Sequence, residues 1–430
     1  MKAIIMAAGP GRRMGRITNF AEGLHFGNMP KPSLPIVNRP IISREVEQLV
    51  SRGVADIWVT SHHMAGDILK ILGHGERFGI GVRIRHEVEY PLVHTAKAVK
   101  NIAQQFKNQP FWVLSGDIFS PETDFADFYG CFKRAQDSFK HTVGCMGLAL
   151  RPFSELQHRA TVAIVDQRGL IESFEEPLTR SESEAGKIFD LIKFDKIKRL
   201  SDKLKTMLFP TNASTYLFTN KLFNLVPEPE TNPTNLYDFG FYVFKRMPPR
   251  SLAAYLIPEK VQDGKLVETW TDVGYPEDLW RANFRLIKHA PHLIGLRFVP
   301  EMQSWIADGT KVRGTVRNSV IGKNVFIGPG VRVENSIIGP GSTIESLEEI
   351  SGSIVFPYTY VNTRRYARKV ERIIMSILVS RPQGGAFIDA HSIGSPRIER
   401  RVAVPNIDGD IVLDDLYLND QEAQELLKIR

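Results

Sequence analysis

The sequence predicts an α/β protein in which a mostly parallel sheet is followed by a smaller domain of stacked β-strands. Up to about residue 290, short apolar runs alternate with amphipathic stretches, which is typical of a sheet covered by helices. The first apolar run ends directly in a glycine-rich turn. After residue 300, aliphatic residues recur about every six positions, a period typical of the coils of a β-helix.

Individual segments of the sequence predict the strands of this sheet and its helices. Strand-like apolar runs lie at residues 56–60, 111–114 and 215–218. Residues 40–52 predict a helix with one apolar face, formed by Ile42, Val46, Leu49 and Val50. Ligands of such sheets bind at the carboxyl ends of the strands. The turn after the first run and Asp117 both follow strand ends, so we expect them in the site.

The turn after the first strand has the features of a triphosphate-binding loop. It reads AAGPGRRM over residues 7–14, and Lys31 follows between two prolines. Backbone N–H groups of Ala8, Gly9 and Gly11 can approach a phosphate because the glycines carry no side chain. Arg13 offers a planar donor and Lys31 a mobile positive charge.

Two better-known phosphate loops are excluded. A Walker loop requires four residues between its glycines and then Gly-Lys-Ser/Thr, which is absent between Gly9 and Gly15. The dinucleotide fingerprint requires Gly-x-Gly-x-x-Gly, and Gly15 comes one residue late. A hydride-transfer enzyme is therefore not expected.

The C-terminal third changes character. Its six-residue period and the glycines that follow several of the aliphatics predict about three short coils over residues 300–362; the positions are Ile306, Val312, Ile321, Ile327, Val333, Ile338, Ile344 and Val361. Residues 363–430 predict an extension of unknown role. It opens with a basic run at 364–369, and an apolar stripe follows that fits a helix or a strand packed on the coils, formed by Val370, Ile373, Ile374, Ile377 and Leu378.

Composition limits the partners. The chain has 55 Lys and Arg against 48 Asp and Glu, a net charge of +7. The basic residues are spread along the chain, so we expect small anionic substrates and no nucleic acid. Two cysteines, Cys131 and Cys145, indicate a reducing, cytoplasmic environment. No apolar run approaches the ~20 residues that span a bilayer, and we expect no membrane attachment.

Several motifs, in order, resemble the sugar-nucleotide pyrophosphorylases, which join a nucleoside triphosphate to a sugar 1-phosphate. The similarity covers roughly residues 1–285, and the segments that carry it are AAGPGRRM, PKPSLPIVNRPII, FWVLSGD, Glu175-Glu176-Pro177, TNASTYLF and TWTDVGYP. The first of these segments corresponds to the family's AAGxGTRM, and PKPSLPIVNRPII looks most like the mannose-1-phosphate guanylyltransferases. Enzymes that use glucose 1-phosphate with UTP, dTTP or ATP remain open.

The resemblance implies a fold and a set of roles. It implies a Rossmann-like, glycosyltransferase-A-like domain at residues 1–290, a left-handed β-helix at 300–362, and a homo-oligomer. Its reaction brings two polyanions together, so the site needs cations and a metal more than a base. The resemblance assigns Mg²⁺ to Asp117 and Asp272, triphosphate binding and activation to Arg13 and Lys31, and sugar contacts to Glu175 and Asn212.

The chain departs from the family pattern at several positions, and two of these departures, the altered base loop and Glu176, support a different hypothesis. Arg12 stands where the family has Thr, and the base loop at residues 92–98 lacks its glycines. Glu176 replaces the lysine that would hold the sugar phosphate; Lys187 or Lys193 is a candidate substitute. The alternative is a non-catalytic regulatory subunit on the same fold that binds nucleotide or sugar nucleotide.

Overall fold

The structure, a computed structural model, describes the chain in thirteen stretches, and the whole chain divides into two compact units. The first unit is Met1–Gly9 with Ile42–Asp272, and the second is Pro10–Ile41 with Val273–Arg430. The expected domain boundary at residue 290 therefore differs from the observed division, because residues 10–41 and 273–290 group with the C-terminal part. The described residues are 1–18, 29–62, 64–107, 109–156, 161–175, 182–229, 237–262, 265–267, 269–362, 371–379, 387–388, 397–405 and 411–428.

A nine-stranded sheet forms the centre of the first unit. Its strands are β1 (Lys2–Met6), β2 (Asp56–Ser61), β3 (Arg83–Val88), β4 (Phe111–Ser115), β5 (Gly144–Pro152), β6 (Val162–Val165), β7 (Ile171–Glu175), β8 (Leu208–Phe218) and β9 (Leu252–Leu256). The order is β7-β6-β8-β4-β1-β2-β3, with β5 between β8 and β9. Strands β1 to β4 run parallel, whereas β8 pairs antiparallel with β4, β5 and β6. The sheet is mixed, and its parallel half holds the glycine-rich loop.

Helices cover both faces of this sheet, as the alternation in the sequence predicts. Alternate residues of β1 face opposite sides, so Ala3 and Ile5 join one buried cluster and Ile4 joins another. The helices of the first unit are α1 (Ile41–Ser51), α2 (Ala65–Leu72), α3 (Thr95–Ala103), α4 (Phe125–Ser138), α5 (Glu182–Leu191), α6 (Asp195–Leu204) and α7 (Lys221–Leu225), with a short helix at Phe244–Arg246. Two further helices, α8 (Pro276–His289) and α9 (Asp420–Leu427), belong to the second unit. The predicted apolar face of α1 is confirmed, since Ile42, Val46 and Leu49 are fully buried.

Three parallel sheets form most of the second unit, and the chain visits them in turn. The first sheet contains Ser304–Ile306, Val320–Ile321, Ile337–Ile338, Ile354–Val355, Ile377–Leu378 and Arg401–Pro405, with antiparallel Arg297–Val299 and Ile411–Asp415 at its ends. The second contains Lys311–Val312, Phe326–Ile327, Thr343–Ser346, Tyr360–Asn362 and Phe387–Ile388. The third contains Thr315–Arg317, Arg332–Glu334, Glu349–Ser351, Arg372–Ile374 and Arg397–Glu399. This order is consistent with the predicted β-helix.

The sheets continue beyond residue 362, where we expected the coils to end. Ile373 and Leu378 are buried in the same apolar cluster as the earlier aliphatics. They belong to strands, so the helical interpretation of this stripe is wrong where the residues are described; Val370 and the basic run 364–369 lie outside the described residues. These later turns do not follow the six-residue period of the sequence. Stacked residues lie 17 positions apart in the early coils and 23 to 25 positions apart later.

A ladder of buried serines joins successive coils at one corner. Ser319, Ser336, Ser353 and Ser376 are fully buried. Each hydroxyl accepts a hydrogen bond from the backbone N–H at the same corner of the next coil, for example Ser353 N to Ser336 Oγ at 3.1 Å. It also donates to the carbonyl two residues earlier, for example Glu334 O at 2.7 Å. The hydroxyls thereby satisfy backbone groups that water cannot reach.

Replacing one rung should destabilise the coil. In Ser336→Ala, the amide of Ser353 and the carbonyl of Glu334 lose a buried partner, and we expect a loss of about 1–3 kcal/mol in the free energy of unfolding. Urea unfolding followed by circular dichroism measures it. Ser138→Ala, at an exposed position near the end of α4, is the control and should change stability by less than about 0.5 kcal/mol. Equal effects of the two variants would contradict the role of the ladder.

Candidate active site

The loop after β1 and the residue after β4 leave the sheet side by side. Met6 lies opposite Ser115 in the parallel ladder, and the amide of Gly116 donates to Met6 O at 2.8 Å. A Cβ on Gly116 would lie 3.2 Å from that carbonyl oxygen and 3.3 Å from the Cβ of Ala7. Glycine therefore allows the two strand ends to approach, and Asp117 emerges beside the start of the glycine-rich loop.

The second predicted metal ligand lies next to the first along a short ladder. Strand Thr271–Asp272 pairs antiparallel with Ile118–Phe119, and Asp272 lies opposite Ile118, the neighbour of Asp117. The hydroxyl of Ser115 donates to Asp117 Oδ1 at 2.7 Å. Two aspartates that are 155 residues apart in sequence therefore meet at the carboxyl edge of the sheet.

A third carboxyl group lies in the electrostatic reach of this pair. Glu45 on α1 is 6% exposed, and its Oε2 has no hydrogen-bond partner among the described residues. Burial, with a further contribution from Asp117, raises the pKa of Glu45 well above its usual value. The carboxylate oxygens of Asp117 and Asp272 fit a hard divalent cation that would take its remaining ligands from phosphate oxygens and water. In the described part of the chain, no three His, Cys, Asp or Glu side chains form a metal cluster by themselves.

The predicted triphosphate residues of the second unit lie close together. Gly11 has a φ of +66° and ends the turn before the helical segment Arg12–Ile17; its carbonyl accepts a hydrogen bond from Thr18 Oγ1 at 2.7 Å. A Cβ on Gly11 would lie 2.9 Å from Thr18 Oγ1 and 3.4 Å from the Cβ of Lys31. Lys31 is 7% exposed. The guanidinium of Arg13 lies 5.4 Å from the ring centroid of Tyr275, in the TWTDVGYP segment.

Ala8 and Gly9 close the first segment of the first unit. Gly9 is exposed, and a Cβ there would have no described atom within 4 Å apart from its chain neighbours. The space that a side chain would fill is therefore open, as a phosphate-binding backbone requires.

The predicted sugar contacts lie on two strands of the central sheet that are separated by a third. Glu175 lies opposite Val162, and Val162 lies opposite Thr211, which precedes Asn212. The two candidate residues are therefore about two strand spacings apart, which is roughly 10 Å.

Asn212 sits in an irregular part of β8. Its Oδ1 accepts a hydrogen bond from Ser214 N at 2.9 Å, and Ser214 has a φ of +53° where the family pattern has glycine. The indole N–H of Trp270 donates to Ala213 O at 2.8 Å. This bond connects the Asn212 turn to the strand that carries Asp272. Burial raises the pKa of Tyr216 to about 12, although hydrogen bonds from Asn212 and Ser214 act to lower it.

The described residues include both lysines that could substitute for the one that Glu176 replaces. Glu176 itself lies outside the described residues, as does His63. Lys187 is exposed on α5, and the ammonium of Lys193 donates to the carbonyl of Asp190. In the altered base loop, Lys97 forms an ion pair with Glu228 at 2.5 Å, so its side chain has a structural partner.

Comparison with known proteins places the chain in a family. The model of the nucleotidyl transferase family matches residues 2–289, which is about two thirds of the chain. The chain belongs to the nucleotidyl transferase family. The motifs that pointed to this family in the sequence all lie inside the matched range, so the predicted resemblance is confirmed.

Three curated relatives are similar over most of their length. UTP–glucose-1-phosphate uridylyltransferase of Synechocystis sp. is 24% identical, and the match covers 87% of each chain. Glucose-1-phosphate adenylyltransferase of Desulfitobacterium hafniense is 24% identical, over 80% of this chain and 83% of the relative. Mannose-1-phosphate guanylyltransferase of Mycobacterium tuberculosis is 21% identical, over 80% and 81%. Their names divide among three bases and two sugars.

The candidate site includes two residues that sequence reasoning missed. Glu45 was overlooked, although it interrupts the apolar face of α1 that Ile42 and Leu49 define. A carboxylate on a buried helical face is a detectable signal, because such a group requires a partner or a cation. Trp270 was noted only as part of a motif; its bond to the Asn212 turn depends on a tertiary contact that spacing does not reveal.

Glu259 gives this nucleotidyl transferase a pH-dependent stability. Burial raises the pKa of Glu259 from 4.5 to about 7, although Arg151 and backbone amides act to lower it. The folded state therefore holds this proton more tightly than the unfolded chain does, and the resulting stability is lost as the pH rises from 4.5 through 7. Wild type should lose at most about 3 kcal/mol relative to Glu259→Gln over this range. Urea unfolding of both proteins at pH 4.5 and 8 checks this, and a pH-independent difference would contradict it.

Proposed function

We propose that the protein transfers a nucleoside monophosphate from a nucleoside triphosphate to a sugar 1-phosphate, releasing pyrophosphate. One observation carries the proposal. Asp272 lies opposite Ile118, the residue after Asp117, at the sheet edge where β1 opens into the unobstructed backbone of Gly9. A paired carboxylate site next to a phosphate-accepting backbone is what nucleotidyl transfer requires.

Each candidate site residue is given a role in this reaction. A phosphate oxygen of the sugar 1-phosphate attacks the α-phosphorus, a new P–O bond forms, and the bond to the β-phosphate oxygen breaks. The amides of Ala8, Gly9 and Gly11 hold phosphate oxygens, while Arg13 and Lys31 offset the charge of the triphosphate and the leaving pyrophosphate.

Asp117 and Asp272 would hold the divalent cation, which is Mg²⁺ in this proposal. When bound, this cation would supply positive charge that stabilises the negative charge developing on the reacting phosphates. Glu175 and Asn212 would bind sugar hydroxyls, with Ser214 and Tyr216 fixing the amide of Asn212. A cytoplasmic location and a homo-oligomer stay predictions of the sequence. None of the helices in the described ranges is long and apolar enough to cross a membrane.

The test is pyrophosphate release by the full chain with Mg²⁺. The five triphosphates ATP, GTP, UTP, CTP and dTTP are each paired with glucose 1-phosphate, mannose 1-phosphate and related sugar phosphates, and each is also run without sugar phosphate. Release that requires one matched pair supports the proposal. Absence of release with every pair, together with nucleotide or sugar-nucleotide binding, would instead support the regulatory subunit and make Glu176 its cause.

A further inference from the structure

We propose that the C-terminal segment, residues 411–428, positions Arg13 and Lys31 by bracing helix α8; this segment is called the C-terminal brace below. The proposal rests on the nucleotide-binding role given above to those two residues. Every contact that carries it lies inside the second unit. It also gives a role to the part of the chain for which the sequence suggested none.

Helix α8 holds the segment that follows Lys31. Asn283 of α8 is fully buried; its Oδ1 accepts a hydrogen bond from Val37 N at 2.6 Å, and its Nδ2 donates to Pro35 O at 3.1 Å. One side chain therefore fixes two backbone groups in a turn where Val37 has a φ of +46°. Displacing α8 would move this turn, and Lys31 lies four residues before it.

The residues that lead into α8 lie against Arg13. The guanidinium packs over Tyr275, at 5.4 Å from its ring centroid. One of its nitrogens is 3.2 Å from the position that a Cβ on Gly274 would take. The side chain of Arg13 is therefore ordered by the first turn of α8 and the residues just before it.

The brace binds the opposite side of α8 through charged groups. Glu422 accepts hydrogen bonds from Arg281 Nε at 2.9 Å and from Arg285 Nη2 at 2.8 Å. The backbone N–H of Tyr417 donates to Glu277 Oε1 at 2.8 Å. The hydrogen bonds from two arginines to one half-buried carboxylate are charge-assisted and therefore strong. Together with the Tyr417 bond, they hold α8 near its start and along its middle.

Apolar contacts complete the docking of the brace. Ala423 and Leu426 are 1% and 5% exposed, and Leu427 lies 2.9 Å from the position of a Cβ on Gly352 in the coil. Helix α9 has only eight residues, a length that is not stable alone in water. It therefore forms because it is docked, and its docking geometry is coupled to that of α8.

The brace also lies near the nucleotide loop. Asp414 Oδ2 lies 4.0 Å from the position that a Cβ on Gly15 would take. Gly15 has a φ of +56° within the segment that carries Arg13. The brace therefore reaches the phosphate-binding region by two routes, one through α8 and one through Asp414.

The experiment compares two isosteric variants of the full chain. Glu422→Gln removes the charge that binds two arginines of α8. Glu349→Gln is the matched control, since it removes a carboxylate that pairs with Arg332 at 2.9 Å in the coil and does not contact α8. Two quantities are measured: hydrogen exchange of the peptide spanning residues 31–41, and the dissociation constants of the five nucleoside triphosphates with Mg²⁺.

The expected result is specific to Glu422→Gln. The Val37 amide should exchange roughly tenfold faster, and the triphosphate that wild type binds should bind roughly threefold to tenfold more weakly, while Glu349→Gln changes neither. Unchanged exchange in residues 31–41 would overturn the brace. Faster exchange with unchanged triphosphate binding would show that α9 stabilises the fold without positioning the site, and would also overturn it.

This test does not depend on whether the proposed reaction occurs. Exchange and triphosphate binding are measured without a sugar phosphate, so a catalytically inactive protein still gives both readouts. In the pyrophosphate assay, a positioning role predicts that Glu422→Gln raises KM for the triphosphate and leaves KM for the sugar phosphate unchanged.

Discussion

Asp117→Asn should lower kcat/KM for pyrophosphate release by about a thousandfold or more and leave the fold intact. The substitution keeps the size of the side chain, and its amide oxygen can still accept the bond from Ser115. It removes one of the two carboxylate charges available to the cation, which then no longer stabilises the phosphate oxygens in the transition state. Steady-state kinetics as a function of Mg²⁺ concentration measure the effect.

The matched control is Asp56→Asn. Asp56 lies at the start of β2 and pairs with Lys2 and Arg85, at the opposite end of the strand from the site. It should retain activity within a few-fold, because a partly exposed ion pair contributes at most about 1 kcal/mol. If Asp117→Asn were as active as Asp56→Asn, the metal assignment would be wrong, and Glu45 would be the next carboxylate to replace.

Much of this site could be predicted because its residues follow strand ends. The pattern of apolar runs placed Gly9 and Asp117 at such ends, parallel strands share one edge, and the family resemblance added Asp272. The observed bridge between Asp272 and Ile118 is the physical reason that two distant motifs converge. The fold class and the α1 face were predictable for a similar reason, since burial imposes a period on the sequence.

Features that depend on contacts between distant segments were not predictable. Five described strands from Arg372–Ile374 to Arg401–Pro405 continue the three sheets, because stacking requires only that each strand turn an apolar residue inward. Longer connections between the strands remove the six-residue period from the sequence. The serine ladder, the bond from Trp270 to Ala213 and the pairing of Glu422 with Arg281 each join residues that spacing does not relate. The positive φ of Ser214 has a local cause, because its amide donates to Asn212 Oδ1 within the same turn.

Gly9→Ala should weaken binding of the nucleoside triphosphate by about a hundredfold while barely changing stability. A Cβ at Gly9 meets no described atom within 4 Å, and its φ lies outside the range that L side chains avoid, so the folded protein can accept the methyl group. A phosphate that rests on this backbone cannot, because the methyl group holds it beyond hydrogen-bond distance. Isothermal titration calorimetry with Mg²⁺ and each triphosphate measures the affinity.

Two further variants distinguish loss of binding caused by a blocked phosphate site from loss caused by a damaged loop. Gly66→Ala, on helix α2, also adds a methyl group that meets no described atom within 4 Å, and it should bind triphosphate normally. Gly11→Ala should reduce both affinity and stability, because the residue needs a φ of +66° and its Cβ would press on Thr18. If Gly9→Ala bound triphosphate as tightly as Gly66→Ala, the backbone of residues 8–11 would not hold the phosphates. The triphosphate would then depend on Arg13 and Lys31 alone.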